Sequence, residues 1–141
     1  MNYNFLINRE KDKVTFCDCI ELSDFCVIID SSEDFEKQVE VKLNDHIRNM
    51  LGQDKAIKLP LNVEVSNKKI LSVPVHDELI FPLVLKSIRL TFGRSQEVMA
   101  FQLGLESKEE YQKLESNPNP SFLEIKHILE VFPIFPYYLL F

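Results

Sequence analysis

The chain has 141 residues and a formal net charge of −6, with 45% hydrophobic and 27% charged side chains. That is the balance of a globular protein long enough for one ordinary domain or two very small ones. Its acidity excludes a protein whose whole surface grips nucleic acid, because neutralising phosphates takes a basic face, and it suits a partner that is itself basic. Tyr3, Phe5 and Ile7 alternate with Asn4, Leu6 and Asn8, which predicts a strand, and Arg9 to Asp12 supplies a turn. Residues 13–20 alternate again, with Val14, Phe16 and Ile20 on one side and Thr15, Cys17 and Cys19 on the other. Phe25 to Ile29 is a third short, β-branched run, and strands joined so closely predict an antiparallel meander.

The period then changes to that of a helix. Phe35, Val39, Leu43, Ile47 and Met50 or Leu51 form one apolar stripe, with Ser31 or Ser32 as its cap, Glu33 and Asp34 in the first turn and Gly52 as its stop. A fourth strand is expected near residues 56–59 or 62–65. The polar stretch 62–69 marks a boundary between a domain over 1–66 and one over 67–141. Beyond it, Ile70 to Val75 reads as extended. A strongly apolar helix follows through Leu83 to Phe92, with Pro82 either starting it or kinking a longer one from Asp77. Further helices are expected over 96–103, 108–115 and 122–132, and the two-proline tail 133–141 is expected to end as a strand that pairs with another chain.

Cys17, Cys19 and Cys26 are an odd set of cysteines and read as reduced thiols rather than a disulfide framework. The opening Met1-Asn2-Tyr3-Asn4 lacks a leader pattern, and the apolar run from Leu79 to Leu85 is too short to cross a bilayer, so the expected location is cytoplasmic. His46, His76 and His127 are scattered and none lies in a nucleophile or metalloprotease motif. Cys17-x-Cys19 has no second pair at zinc spacing and reads as two small groups on one strand face. No cofactor, no metal and no catalytic residue is expected, so the chain reads as a non-enzyme.

The most specific signal is Ser95-Gln96-Glu97-Val98-Met99-Ala100-Phe101-Gln102-Leu103-Gly104-Leu105, followed by Tyr111-Gln112-Lys113-Leu114-Glu115. Ser95 caps a first helix, Ala100 lets a second cross close by, and Gly104 takes a left-handed turn. Met99, Leu103, Leu105, Tyr111 and Leu114 fill the shared core. This resembles the helix-turn-helix of the Cro and phage-repressor type. Read whole, the chain resembles the two-domain form of the HicB family of antitoxins. The N-terminal resemblance is carried by the Tyr-led strand, Phe16-Cys17-Asp18, Asp30-Ser31-Ser32-Glu33-Asp34, Lys58-Leu59-Pro60 and Val73-Pro74-Val75.

The resemblance implies an α+β protein. An N-terminal β-β-β-α-β domain, described as a partial RNase H-like fold, would precede an all-α helix-turn-helix domain with a C-terminal strand. It implies an antitoxin that occludes a small basic HicA-like toxin, an mRNA-cleaving ribonuclease, and a dimer or higher oligomer that represses its own operon. Asp18, Glu21 and Asp24, around the second strand connection, are the toxin-facing candidates; across the first sixty residues eight Lys and Arg stand against twelve Asp and Glu. Arg94, Ser95, Gln96, Lys108, Gln112, Lys113, Asn117 and Asn119 are the candidates for DNA contact, Gln because it reads adenine bidentately and the helix-leading residues because free amides meet phosphate. Two features depart from the pattern. The turn from Leu105 to Tyr111 is one residue longer than usual, and Glu106, Glu109 and Glu110 lie on or beside the second helix. The other readings are a stand-alone helix-turn-helix regulator with a ligand-sensing N-terminal domain, and a small hydrolase on a partial RNase H-like site.

Overall fold

The computed structural model describes residues 1–9, 14–30, 34–60 and 69–140. They form a mixed α+β chain of four strands and five helices: β1 (Asn2–Arg9), β2 (Val14–Cys19), β3 (Cys26–Asp30), α1 (Phe35–Leu51), β4 (Ile70–Pro74), α2 (Asp77–Thr91), α3 (Gln96–Gln102), α4 (Lys108–Glu115) and α5 (Phe122–Val131). The chain divides into two compact units. The first holds Met1–Asn49 and Lys58–His76, the second Met50–Ile57 and Asp77–Phe141.

In the first unit the strands form one antiparallel sheet in the order β3-β2-β1-β4. The register sets Phe5 opposite Cys19, Tyr3 opposite Val73 and Cys17 opposite Val27, so these side chains share one face. All are buried, together with Val39, Leu43 and Ile47 of the α1 stripe. Each Val, Leu, Ile or Phe among them contributes roughly 1.5–3 kcal/mol of burial. The paired thiols Cys17 and Cys19 are therefore small core groups, and burial pushes the Cys19 thiol up to about 11. Asn44 is also fully buried, on the same helix. Its Nδ2 donates to Pro74 O at 3.1 Å and its Oδ1 accepts from His76 N at 2.7 Å, which pins the end of β4 to α1.

Here the fold departs from expectation. The fourth strand is not at 56–59, where the backbone forms no strand, and 62–65 lies outside the described residues, as do the expected caps Ser31 and Ser32. It is Ile70–Pro74, paired with β1, so the first unit runs to His76 rather than ending at 66. β4 needs a hydrogen-bonding partner along its length and finds it five strand positions deep on β1, which outweighs the polar appearance of the segment before it.

In the second unit, Pro82 lies inside a continuous α2 from Asp77. The segment 50–57 packs on this helix as a strap. Lys86 Nζ donates to Leu51 O at 2.6 Å and Ser87 Oγ to Ile57 O at 2.6 Å, and Ile57 is buried. The tail is not a strand: Tyr137–Leu139 is a 3-10 turn, and Phe135 and Leu139 are buried, Phe135 against Phe81. Phe135 and Leu139 fill the core of their own unit instead of a sheet edge, while Ile134 and Tyr138 stay exposed.

Candidate nucleic-acid interface

α3 and α4 form the helix pair the motif predicts. Ser95 caps α3, its Oγ accepting from Val98 N at 3.2 Å, and Gly104 turns the chain with φ +63°. Leu103 N donates back to Met99 O and Leu105 N to Ala100 O, closing the carbonyls of α3. Ser107 then caps α4 by accepting from Glu110 N, while Glu110 Oε2 accepts from Glu106 N at 2.9 Å. These two bonds hold the turn ahead of α4, and Glu110 takes part in both, through its backbone amide and its carboxylate. Met99, Ala100, Leu103, Tyr111 and Leu114 are buried between the helices, whereas Leu105 is half-buried.

Beneath the pair runs a charged link from α2. Arg89, 4% exposed, donates from Nε to Glu115 Oε2 at 2.6 Å and from Nη2 to Oε1 at 3.1 Å. Its Nη1 donates to Arg94 O at 3.2 Å, and Asp54 of the strap lies 3.5 Å from Nη2. Burial works against the charge on Arg89, yet Glu115 beside it raises its pKa overall. Burial and the Glu115 charge push the Tyr111 hydroxyl well above its ordinary value. Gln96 Nε2 donates to the same Glu115 Oε1 at 3.2 Å, and Gln112 Nε2 donates to Gln96 Oε1 at 2.9 Å. The chain Arg89–Glu115–Gln96–Gln112 thus leads from the core to the surface, where Gln112 is exposed.

A cleft of about 670 Å³ opens over this chain, lined by Ser95, Gln96, Lys108 and Gln112 on one side and by Leu51–Asp54 on the other. Of the eight DNA-contact candidates the structure brings these four together. Lys113 is exposed on α4. Lys108 is already engaged, its Nζ 2.7 Å from Glu97 Oε1. Arg94 is turned elsewhere: its guanidinium lies 5.8 Å from the Phe92 ring centre and 5.2 Å from that of Phe132, and it donates to Gln102 Oε1. Asn117 spends its side chain on its own loop, Oδ1 accepting from Asn119 N at 3.0 Å.

In the first unit the acidic trio separates. Glu21 is buried, accepting from Asn4 N at 2.9 Å and from Asn4 Nδ2 at 2.8 Å, so it braces β1 and does not face a partner. Asp18 and Asp24 are exposed, Asp18 accepting from Asn8 Nδ2 at 3.1 Å. The register places Asp18 on the sheet face opposite α1, with Leu6, Phe16, Ile28 and Asp30. Leu6 is 37% and Ile28 52% exposed, and among the described residues the strand positions of this face carry no Lys or Arg. The alternation Leu6, Phe16, Ile28 was the available signal for this surface.

Among the described residues no group of three or more His, Cys, Asp or Glu is placed to hold a metal ion, and no helix is long and apolar enough to cross a membrane. Compared with models of known protein families and with curated protein sequences, the chain matches none.

Proposed function

We propose that the chain is an antitoxin-type repressor, in which the second unit binds operator DNA and the first blocks a small basic toxin. One observation carries the DNA half: Gln112 stands exposed on α4 with its Nε2 held by Gln96, whose own amide is held by the buried Glu115–Arg89 pair. A glutamine whose orientation is fixed before binding loses little side-chain entropy on meeting adenine, and a preorganised bidentate contact discriminates by about 1–3 kcal/mol. The cleft beside it gives a phosphate access to the α3 end of the pair. The open, acidic and partly apolar sheet face supports the toxin half, because an antiparallel sheet normally turns polar residues to water.

The test uses duplex DNA from the promoter of the protein's own gene, with fluorescence anisotropy as the readout. The wild type is expected to bind it more tightly than scrambled duplex, and Gln112→Ala to lose about 5- to 150-fold of that preference. Lys113→Ala is expected to weaken both duplexes alike and to lower the salt slope by about one. Co-expression with any small basic protein encoded beside it tests the other half through growth rescue and co-purification. Binding of promoter DNA without any such complex would leave the stand-alone regulator, a reading favoured by the burial of Glu21.

A further inference from the structure

We propose that the cleft over the Arg89–Glu115 pair is a site for a small oxyanion, the phosphate or carboxylate of a soluble metabolite held by Lys86, and that its occupancy weakens operator binding. Lys86 stands on α2 one turn before Arg89 and lines the floor of the cleft, only 7% exposed. Its Nζ donates to Leu51 O at 2.6 Å, a neutral acceptor. Among the described residues no carboxylate lies within ion-pair distance of it. An ammonium carries three donors, and a charge taken out of water is costly unless it is paired. Burial accordingly pulls Lys86 below the ordinary lysine range. Two of its donors are left for whatever enters the cleft, whose volume of about 670 Å³ is that of a small-molecule site.

The surrounding charges select the sign of the ligand. Both oxygens of Glu115 are taken by Arg89 and Gln96, and Arg89 spends its donors on Glu115, the Arg94 carbonyl and Asp54. At the mouth, Glu97 and Lys108 neutralise each other. Asp54, with 84% of its side chain exposed, and the exposed Glu78 lie on the rim, where water screens them. The charge left without a counter-ion at the floor is therefore the Lys86 ammonium, which repels a cation and draws an anion. Gln96 and Gln112 line the same cleft, so a bound anion lies beside the glutamine that faces the duplex. It adds negative charge where a DNA phosphate has to approach, and like charges at that range oppose binding. This effect on the operator rests on the reading above, whereas the anion site stands on Lys86 and is tested without DNA.

The test titrates the isotope-labelled full chain with inorganic phosphate and with acetate, against sodium chloride at matched ionic strength, and follows amide shifts by NMR. The wild type is expected to show saturable shifts at Gly52, Gln53 and the side-chain amides of Gln96 and Gln112 at roughly millimolar anion, and chloride none that saturate. The two anions separate a phosphate-bearing from a carboxylate-bearing ligand. Lys86→Met is expected to weaken the site by about thirtyfold or more, with a thermal melt to certify its fold. Asp54→Asn removes a rim carboxylate and should tighten the site by up to about fivefold, a gain that no misfolded chain can give. In the anisotropy assay the saturating anion should lower the promoter affinity of the wild type more than chloride does, and no more than chloride does in Lys86→Met. Shifts that stay linear, a site as tight in Lys86→Met as in the wild type, or no gain in Asp54→Asn would overturn the anion site. A saturated site with promoter affinity unchanged would overturn its regulatory role. Absence of promoter binding at every anion concentration, with the site filling as expected, would overturn the operator reading instead.

Discussion

Arg89 and Glu115 meet through two hydrogen bonds, 2.6 Å and 3.1 Å long, with both side chains buried in the second unit. The pair joins α2 to the last turn of α4 within the second unit. Glu115→Ala would leave a buried guanidinium held by the Arg94 carbonyl and, among the carboxylates described near it, by the exposed Asp54. Removing one member of a buried pair costs about 3–5 kcal/mol, and that loss is expected in a urea titration of the variant. Replacing both, as Arg89→Met/Glu115→Leu, should recover most of it while uncoupling Gln96. A change below about 1 kcal/mol in the single variant would show that the pair contributes nothing.

Gly104 sits at φ +63° with no atom within 4 Å of where a Cβ would stand. Space is therefore not at issue, and only the backbone conformation resists a side chain. Gly104→Ala is expected to cost about 1–2 kcal/mol in thermal unfolding, and Gly104→Asn less, because Asn tolerates the left-handed region. Equal costs for the two would point to a clash instead.

The turn and its two helices were legible because local rules agree there: a serine cap, a small crossing residue, a glycine turn and a helical stripe fall in order over about twenty residues. What escaped reading was long-range. Ile70–Pro74 reads as extended in the sequence, but on the far side of the expected boundary, and only its pairing with β1 shows that it is the fourth strand of the first sheet. Glu21 reads as a loop acid, yet its two oxygens are taken by Asn4, seventeen residues earlier. The tail reads as a pairing strand because it is strongly apolar; in the fold Phe135 and Leu139 fill a core that no local window reveals. Among the site residues, Gln96 and Gln112 were legible as types, but the link through Glu115 to Arg89 was not, since it spans three helices.

Glu97 is held down to about 2, from an ordinary 4.5, chiefly by the Lys108 ammonium and then by its own backbone amide and Ser95. Its folded value lies below its unfolded one. The stabilisation is therefore complete above pH 4.5 and is lost as pH falls through the folded value near 2. Glu97→Gln should flatten the acid limb of a Tm-versus-pH curve between those two values. Because both side chains are exposed, 1 M salt should remove most of the difference. An acid limb identical in wild type and variant at low salt would rule the pair out as a contributor.

Asn44 makes a different kind of contact, a buried amide serving two backbone groups of the β4 end. Asn44→Ala would orphan the Pro74 carbonyl and the His76 amide together, at about 1–3 kcal/mol for each one left without water. Hydrogen exchange should then show the amides of β4 opening faster while those of α3 and α4 keep their rates. Uniform acceleration over the whole chain would mean that the two units unfold as one.

Because Met50–Ile57 belongs with α2 while Lys58–His76 returns to the sheet, the polypeptide passes between its units three times. No single scission can then yield both as intact pieces. Severed after His76, the C-terminal fragment would keep Lys86 and Ser87 but forfeit the carbonyls they donate to, and Ile57 would leave with the other half. Expressing either module alone demands a permuted or relinked chain, and a fragment made by simple truncation would report on the damage rather than on the module.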